Sequence, residues 1–147
     1  MSASSLLSRL SRLRAGDMPL VGEGLVLLVQ VRLGLSFSSL QRLQRRFLSS
    51  PGHEPARQAD VPRLARIIRN GARLVPGASC LTQGLAYQIM LHRRGVPSEL
   101  KLGVRQDEQG QFAAHAWVIV GGQVQLGGTS QQLAGFAPIA QFGASGR

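Results

Sequence analysis

The chain has 147 residues, 44% of them hydrophobic and 16% charged, and a formal charge of +10. That length allows one domain with a modest core and not two, and the apolar content excludes a disordered chain. Arginine carries almost all of the positive charge, with Lys101 the sole lysine, so acidic peptides, nucleic acid or anionic lipid are the partners that charge alone admits. One cysteine excludes an internal disulfide and fits the cytoplasm, and one cysteine with three scattered histidines gives no metal-site spacing.

Residues 1–17 read as a basic lead-in. Leu6, Leu10 and Leu13 follow helical spacing between Arg9, Arg12 and Arg14, a pattern that also suits a membrane-surface helix, but no uninterrupted apolar stretch marks an export signal. Pro19 to Leu33 predicts the first helix, capped by Asp17. Its apolar run, Leu25 to Leu35, is broken by Gln30 and Arg32 and falls short of a bilayer span, so it reads as a buried helix and not a transmembrane segment. Ser36 to Leu48 predicts a second helical piece, with a bend at Gly34. Pro51, Gly52 and Pro55 mark residues 49–58 as a loop, which makes His53 a surface residue. Asp60 and Pro62 open the next helix, which buries Leu64, Ile67, Ile68, Ala72 and Val75 and turns Arg63, Arg66, Arg69 and Arg73 mainly to solvent.

After the turn Pro76-Gly77-Ala78-Ser79, Cys80 opens an amphipathic helix with Leu81, Leu85, Ile89 and Leu91 near one face. Arg93, Arg94, Gly95 and Pro97 end it. Pro97 to Arg105 alternates as a strand, residues 106–110 turn, and Phe112 to Val120 is a second strand. Gly121-Gly122 returns the chain as a hairpin through Gln123 to Leu126. From there to Gly146 the chain loses its charges and is expected to be irregular. The organisation expected is a basic segment at 1–17, one domain at 18–130 and an irregular tail at 131–147.

Two residues carry chemistry. A thiol at a helix N-terminus lies beside unpaired N–H groups and the positive dipole end, which favour the thiolate. His115, on the strand that follows, is the imidazole such a thiol needs within hydrogen-bond reach to lose its proton and later protonate a leaving amine. A small buried cysteine and a satisfied core histidine are the plainer readings of the same residues.

Leu74-Val75-Pro76, Cys80-Leu81, Leu91-His92-Arg93-Arg94-Gly95-Val96-Pro97, Leu102-Gly103-Val104-Arg105 and His115-Ala116-Trp117-Val118, in this order, resemble one family. It is the transglutaminase-like leader peptidase of lasso-peptide biosynthesis, similar to the C-terminal domain of microcin-processing proteins, and the resemblance covers roughly residues 20 to 128. It implies an α+β fold with a transglutaminase-like or papain-like cysteine protease core, N-terminal helices preceding a small antiparallel sheet. It implies a peptidase that removes the leader of a ribosomally made precursor through Cys80 and His115. The partners implied are the precursor leader peptide, a separate small leader-recognition protein and an asparagine-synthetase-like cyclase; no cofactor is evident and no nucleic acid is expected.

The family places an aspartate near positions 127 or 128 to orient the histidine. Here these are Gly127 and Gly128, and no acidic residue follows His115. An amide can take that role. Gln125 is the nearer candidate, with Thr129 or Ser130 as alternatives, and the missing carboxylate predicts a slow or partner-dependent enzyme, or an inactive relative. The same site could also transfer an acyl group to an amine. A small basic nucleic-acid-binding module is the reading from another class, and the scarcity of aromatics counts against it.

Overall fold

The computed structural model describes residues 15–49 and 60–144, so His53 and most of the basic lead-in lie outside it. A 3-10 turn at Ala15–Asp17 leads into helix α1, Met18–Phe37, with Pro19 in the first turn where no backbone donor is needed. The turn leaves Asp17 itself in helical conformation (φ −87°, ψ −16°), so its carboxylate does not cap α1 as expected but forms an ion pair with Arg63. The helix also continues through Gly34, where the sequence suggests a bend, and stops at the extended Ser38. A Cβ on Gly34 would lie 2.6 Å from Leu43 Cδ2. Glycine there serves the close approach of α2, Leu40–Leu48, which Ser39 caps by accepting from the Arg42 N–H.

Helix α3, Val61–Ala72, starts where Asp60 accepts from the Arg63 N–H at 3.1 Å, as the sequence predicts. Its apolar stripe is buried, while Arg66, Arg69 and Arg73 face solvent. Helix α4, Cys80–His92, differs from its expected one-sided form, because every residue from Gly84 to His92 is buried. It lies between α1 and α3 on one side and the sheet on the other, and a helix enclosed all round needs no polar face. A Cβ on Gly84 would stand 2.7 Å from Leu100 Cδ1, so the missing side chain lets α4 settle onto the sheet. Tyr87 donates from its hydroxyl to the Val61 carbonyl at 2.9 Å, and burial pushes that hydroxyl well above the ordinary phenol range.

Leu27, Leu28 and Val31 of α1 are fully buried against these helices, each contributing about 1.5–3 kcal/mol. Arg94 forks onto both Glu23 carboxylate oxygens, at 3.1 and 2.6 Å, and Arg93 approaches at 3.4 Å, tying α1 to the end of α4. Burial pushes the Glu23 carboxyl up, but the hydrogen bonds and charges of the two arginines outweigh it and hold it below its usual range. At 20 residues α1 reaches the length and apolarity of a membrane span, which the sequence run alone does not suggest. Gly24, Leu27, Leu28 and Val31 form its buried stripe, and the rest of its apolar surface is largely exposed.

Four strands form an antiparallel sheet in the order β3-β2-β1-β4: β1 Ser98–Gln106, β2 Phe112–Val120, β3 Gln123–Leu126 and β4 Ala137–Ala144. The first three fall where the sequence places them. The fourth corrects the expectation of an irregular tail, since Leu100 pairs with Phe142 and Leu102 with Ala140. β4 is an edge strand, and an edge tolerates Pro138, which has no N–H to give. Helices followed by a small antiparallel sheet make the fold α+β.

Side-chain alternation divides the sheet. Leu100, Ala116 and Val118 face α4, while Gly103, His115 and Trp117 face the other way. The link from β3 to β4 crosses that outer face. It carries a short helix α5, Ser130–Leu133, capped reciprocally by Thr129 and Gln132, and then Phe136, which packs on Trp117.

Candidate active site

Cys80 is the first residue of α4. Ser79 before it is extended (φ −70°, ψ 172°), and its Oγ accepts from the Thr82 N–H at 3.3 Å and lies 3.2 Å from Thr82 Oγ1. The Gln83 amide donates back to the Ala78 carbonyl at 3.3 Å, fixing the loop that enters the helix. Gly77 holds φ +73°, and a Cβ there would lie 2.7 Å from Arg32 Nε, so the arginine packs directly on this loop. With Thr82 N–H occupied by the cap, the N–H groups of Cys80 and Leu81 have no hydrogen-bond partner among the described residues. The half-buried thiol thus sits beside two free donors at the positive end of a helix. Those donors are what an anionic oxygen would bind.

His115 lies in mid-β2, opposite Gly103 of β1. Its ring stacks on Trp117 (centroids 6.4 Å apart, planes at 21°) and meets Phe136 at 5.6 Å. A Cβ on Gly103 would strike the Trp117 ring at 2.7 Å, so glycine makes room for the aromatic layer beside the histidine. The Nε2 atom is 2.5 Å from the Gly127 carbonyl oxygen. A carbonyl only accepts, so Nε2 carries the hydrogen and Nδ1 is the ring's basic nitrogen in its neutral form.

The group that orients the imidazole is therefore a backbone carbonyl, at one of the two positions where the resemblance expects an aspartate. Gln125 makes no hydrogen bond to His115 among the described residues. The pairing shows why: Val118 opposes Leu126 and Ile119 opposes Val124, which leaves Gln125 as the extra residue of a β-bulge. The bulge moves Gly127 one place along β2, so that a Cβ there would fall 2.6 Å from the Ala116 oxygen. Thr129 is engaged in the α5 capping box instead.

Cys80 and His115 are not joined by a hydrogen bond among the described residues. The thiol packs against the core at the start of α4, and the imidazole leaves β2 on the face that carries Trp117 and Phe136. The sequence names both residues but misses Phe136, hidden in a stretch without pattern, and Gly103. The latter is legible from the β1–β2 hairpin register, which sets it opposite His115.

A helix that opens on a thiol, packed on an antiparallel sheet that carries an oriented histidine, defines a thiol–imidazole protein of the α+β class. The profile of the Transglutaminase-like superfamily matches residues 25–141, and the chain belongs to that superfamily. No curated protein and no solved structure matches the chain.

Proposed function

We propose that the chain is a cysteine peptidase with a papain-like core that removes the leader of a ribosomally made lasso-peptide precursor in the cytoplasm. In this reading a separate leader-binding protein presents the precursor, and an asparagine-synthetase-like cyclase then uses the freed N-terminus. The observation that carries the thiol chemistry is Cys80 at a capped helix start with two unoccupied N–H donors. Sγ attacks the scissile carbonyl, and the N–H groups of Cys80 and Leu81 hold the oxyanion. His115 takes the thiol proton on Nδ1 and passes it to the leaving amine, and water then hydrolyses the thioester. For that transfer the ring must reach the sulfur, to which no hydrogen bond joins it among the described residues. The partner protein therefore has the task of bringing thiol and imidazole together as well as delivering substrate.

The test is mass spectrometry of precursor incubated with the chain, alone and with the leader-binding protein. Leader release that needs the partner and vanishes in Cys80→Ala supports the proposal. Release at the wild-type rate by Cys80→Ala overturns it.

A second reading has its own observation. His115 bonded to Gly127 and enclosed by Trp117 and Phe136 is also how a structural histidine is satisfied, as in a catalytically impaired relative. In that case His115→Ala lowers thermal stability and leaves the product profile of the partnered protein unchanged.

A further inference from the structure

Away from the thiol, α1 and α2 enclose a groove of about 540 Å³. Its floor is Gly34 and the buried Leu43, its walls are Leu33 and Phe37, and Arg42 and Arg46 stand on its rim. Phe37 is 87% exposed and Leu33 55%, although both are large apolar side chains on a well-formed helix. Val26 and Val29, at 55% and 44%, continue the same exposed stripe up α1. We infer that this groove docks an acidic amphipathic segment of a partner protein, with apolar side chains on the floor and carboxylates against Arg42 and Arg46.

Four observations select that occupant. The rim is cationic, so a segment bearing carboxylates gains from it and a basic one is repelled. That excludes the chain's own N-terminal stretch, with Arg9, Arg12 and Arg14, and a second copy brings the same arginines to the contact. Residues 50–59 contain no apolar side chain larger than proline, so they cannot fill the floor. The site is also concave, so a flat lipid surface would leave the space above Gly34 and Leu43 empty. Finally, the groove lies on one side of α1 and Arg32, packed on the Gly77 loop that leads to Cys80, on the other. An occupant of the groove is thus not in line for attack, which suits a bound partner and not a peptide being cut.

The surface is independent of the thiol chemistry, and the test keeps the two apart. The probe is a short fluorescein-labelled helical peptide with leucines on one face and glutamates on the other, read by anisotropy against full-length protein at rising salt. Binding is expected, weakening as salt rises. It is expected to weaken about tenfold in Arg42→Glu/Arg46→Glu and in Phe37→Ser. The double variant should gain affinity for a peptide carrying lysines in place of the glutamates. All three altered residues are solvent-facing or partly so, and a matched circular dichroism melt verifies that the variants fold. Cys80→Ala should bind like wild type. Equal binding of the lysine and glutamate peptides by wild type, or insensitivity to the arginine exchange, overturns the inference. So does association with phosphatidylglycerol vesicles, or self-association, without binding of the glutamate peptide.

Discussion

Gly127 is where the candidate site is most vulnerable to a single atom. It holds φ +101°, and an added Cβ would lie 2.6 Å from the Ala116 oxygen, 2.7 Å from Trp117 Cβ and 2.8 Å from Trp117 Cα. Those atoms belong to β2 and cannot swing aside like the end of a long side chain. The strained backbone and the overpacking together cost about 2–6 kcal/mol in Gly127→Ala, a large share of the stability of a domain this size. Gly128 is the control. Its φ of +130° is also unusual, but its nearest neighbour is the tip of the Gln132 side chain at 3.2 Å, so Gly128→Ala escapes most of the packing cost. Urea unfolding followed through Trp117, the sole tryptophan, reports directly on the affected strand. Nitrogen NMR of the imidazole should show the Nε2–H state lost or mixed in Gly127→Ala, because the carbonyl that fixes it must move. Equal unfolding midpoints for the two variants would contradict a packing cost at Gly127. The same geometry corrects the attractive repair of this site by Gly127→Asp, which meets the β2 backbone before its carboxylate can reach the ring.

His115→Ala is expected to lower turnover of the partnered protein by about 10²–10⁴-fold with little change in KM, measured on the precursor. Tyr87→Phe, which takes a donor from the Val61 carbonyl, should cost about 1 kcal/mol in chemical denaturation. Glu23→Gln should cost about 1–3 kcal/mol at neutral pH, since it halves the fork that holds Arg94. The Glu23 carboxyl is depressed in the folded state, so its contribution is complete above the unfolded carboxylate range and is lost as pH falls through the folded value. The wild-type and Glu23→Gln melting curves should therefore converge toward low pH, and a constant gap would contradict that assignment.

Much of the framework is visible in the residues. Asp60 with Pro62, Cys80 with Gly95, and Gly121-Gly122 each mark a boundary by local chemistry, and the structure places element ends beside them. What escaped was non-local. α1 passes through Gly34 because of Leu43, a neighbour nine residues on, and β4 forms although Pro138 and its small side chains give it no strand pattern of its own. The bulge at Gln125 depends on how β3 meets β2, so counting back from the hairpin turn reveals neither it nor the Gly127 carbonyl that meets His115. Cys80 and His115 are legible as residue types; the face of the sheet that His115 occupies is a property of the register.

Gln88 is fully buried at the centre of α4, where its amide donates to the Phe142 carbonyl at 2.9 Å and accepts from Gln44 at 3.4 Å. One side chain thereby joins three segments distant in the chain: α2, the central helix and the edge strand β4. When β4 lifts away, a buried amide loses its acceptor, and opening the structure enough to rehydrate it also loosens the contact with α2. The edge strand and the second helix therefore belong to one cooperative unit, and their slowest-exchanging amides should share an opening free energy. A ligand that grips α2 would then steady β4 across the molecule without touching it.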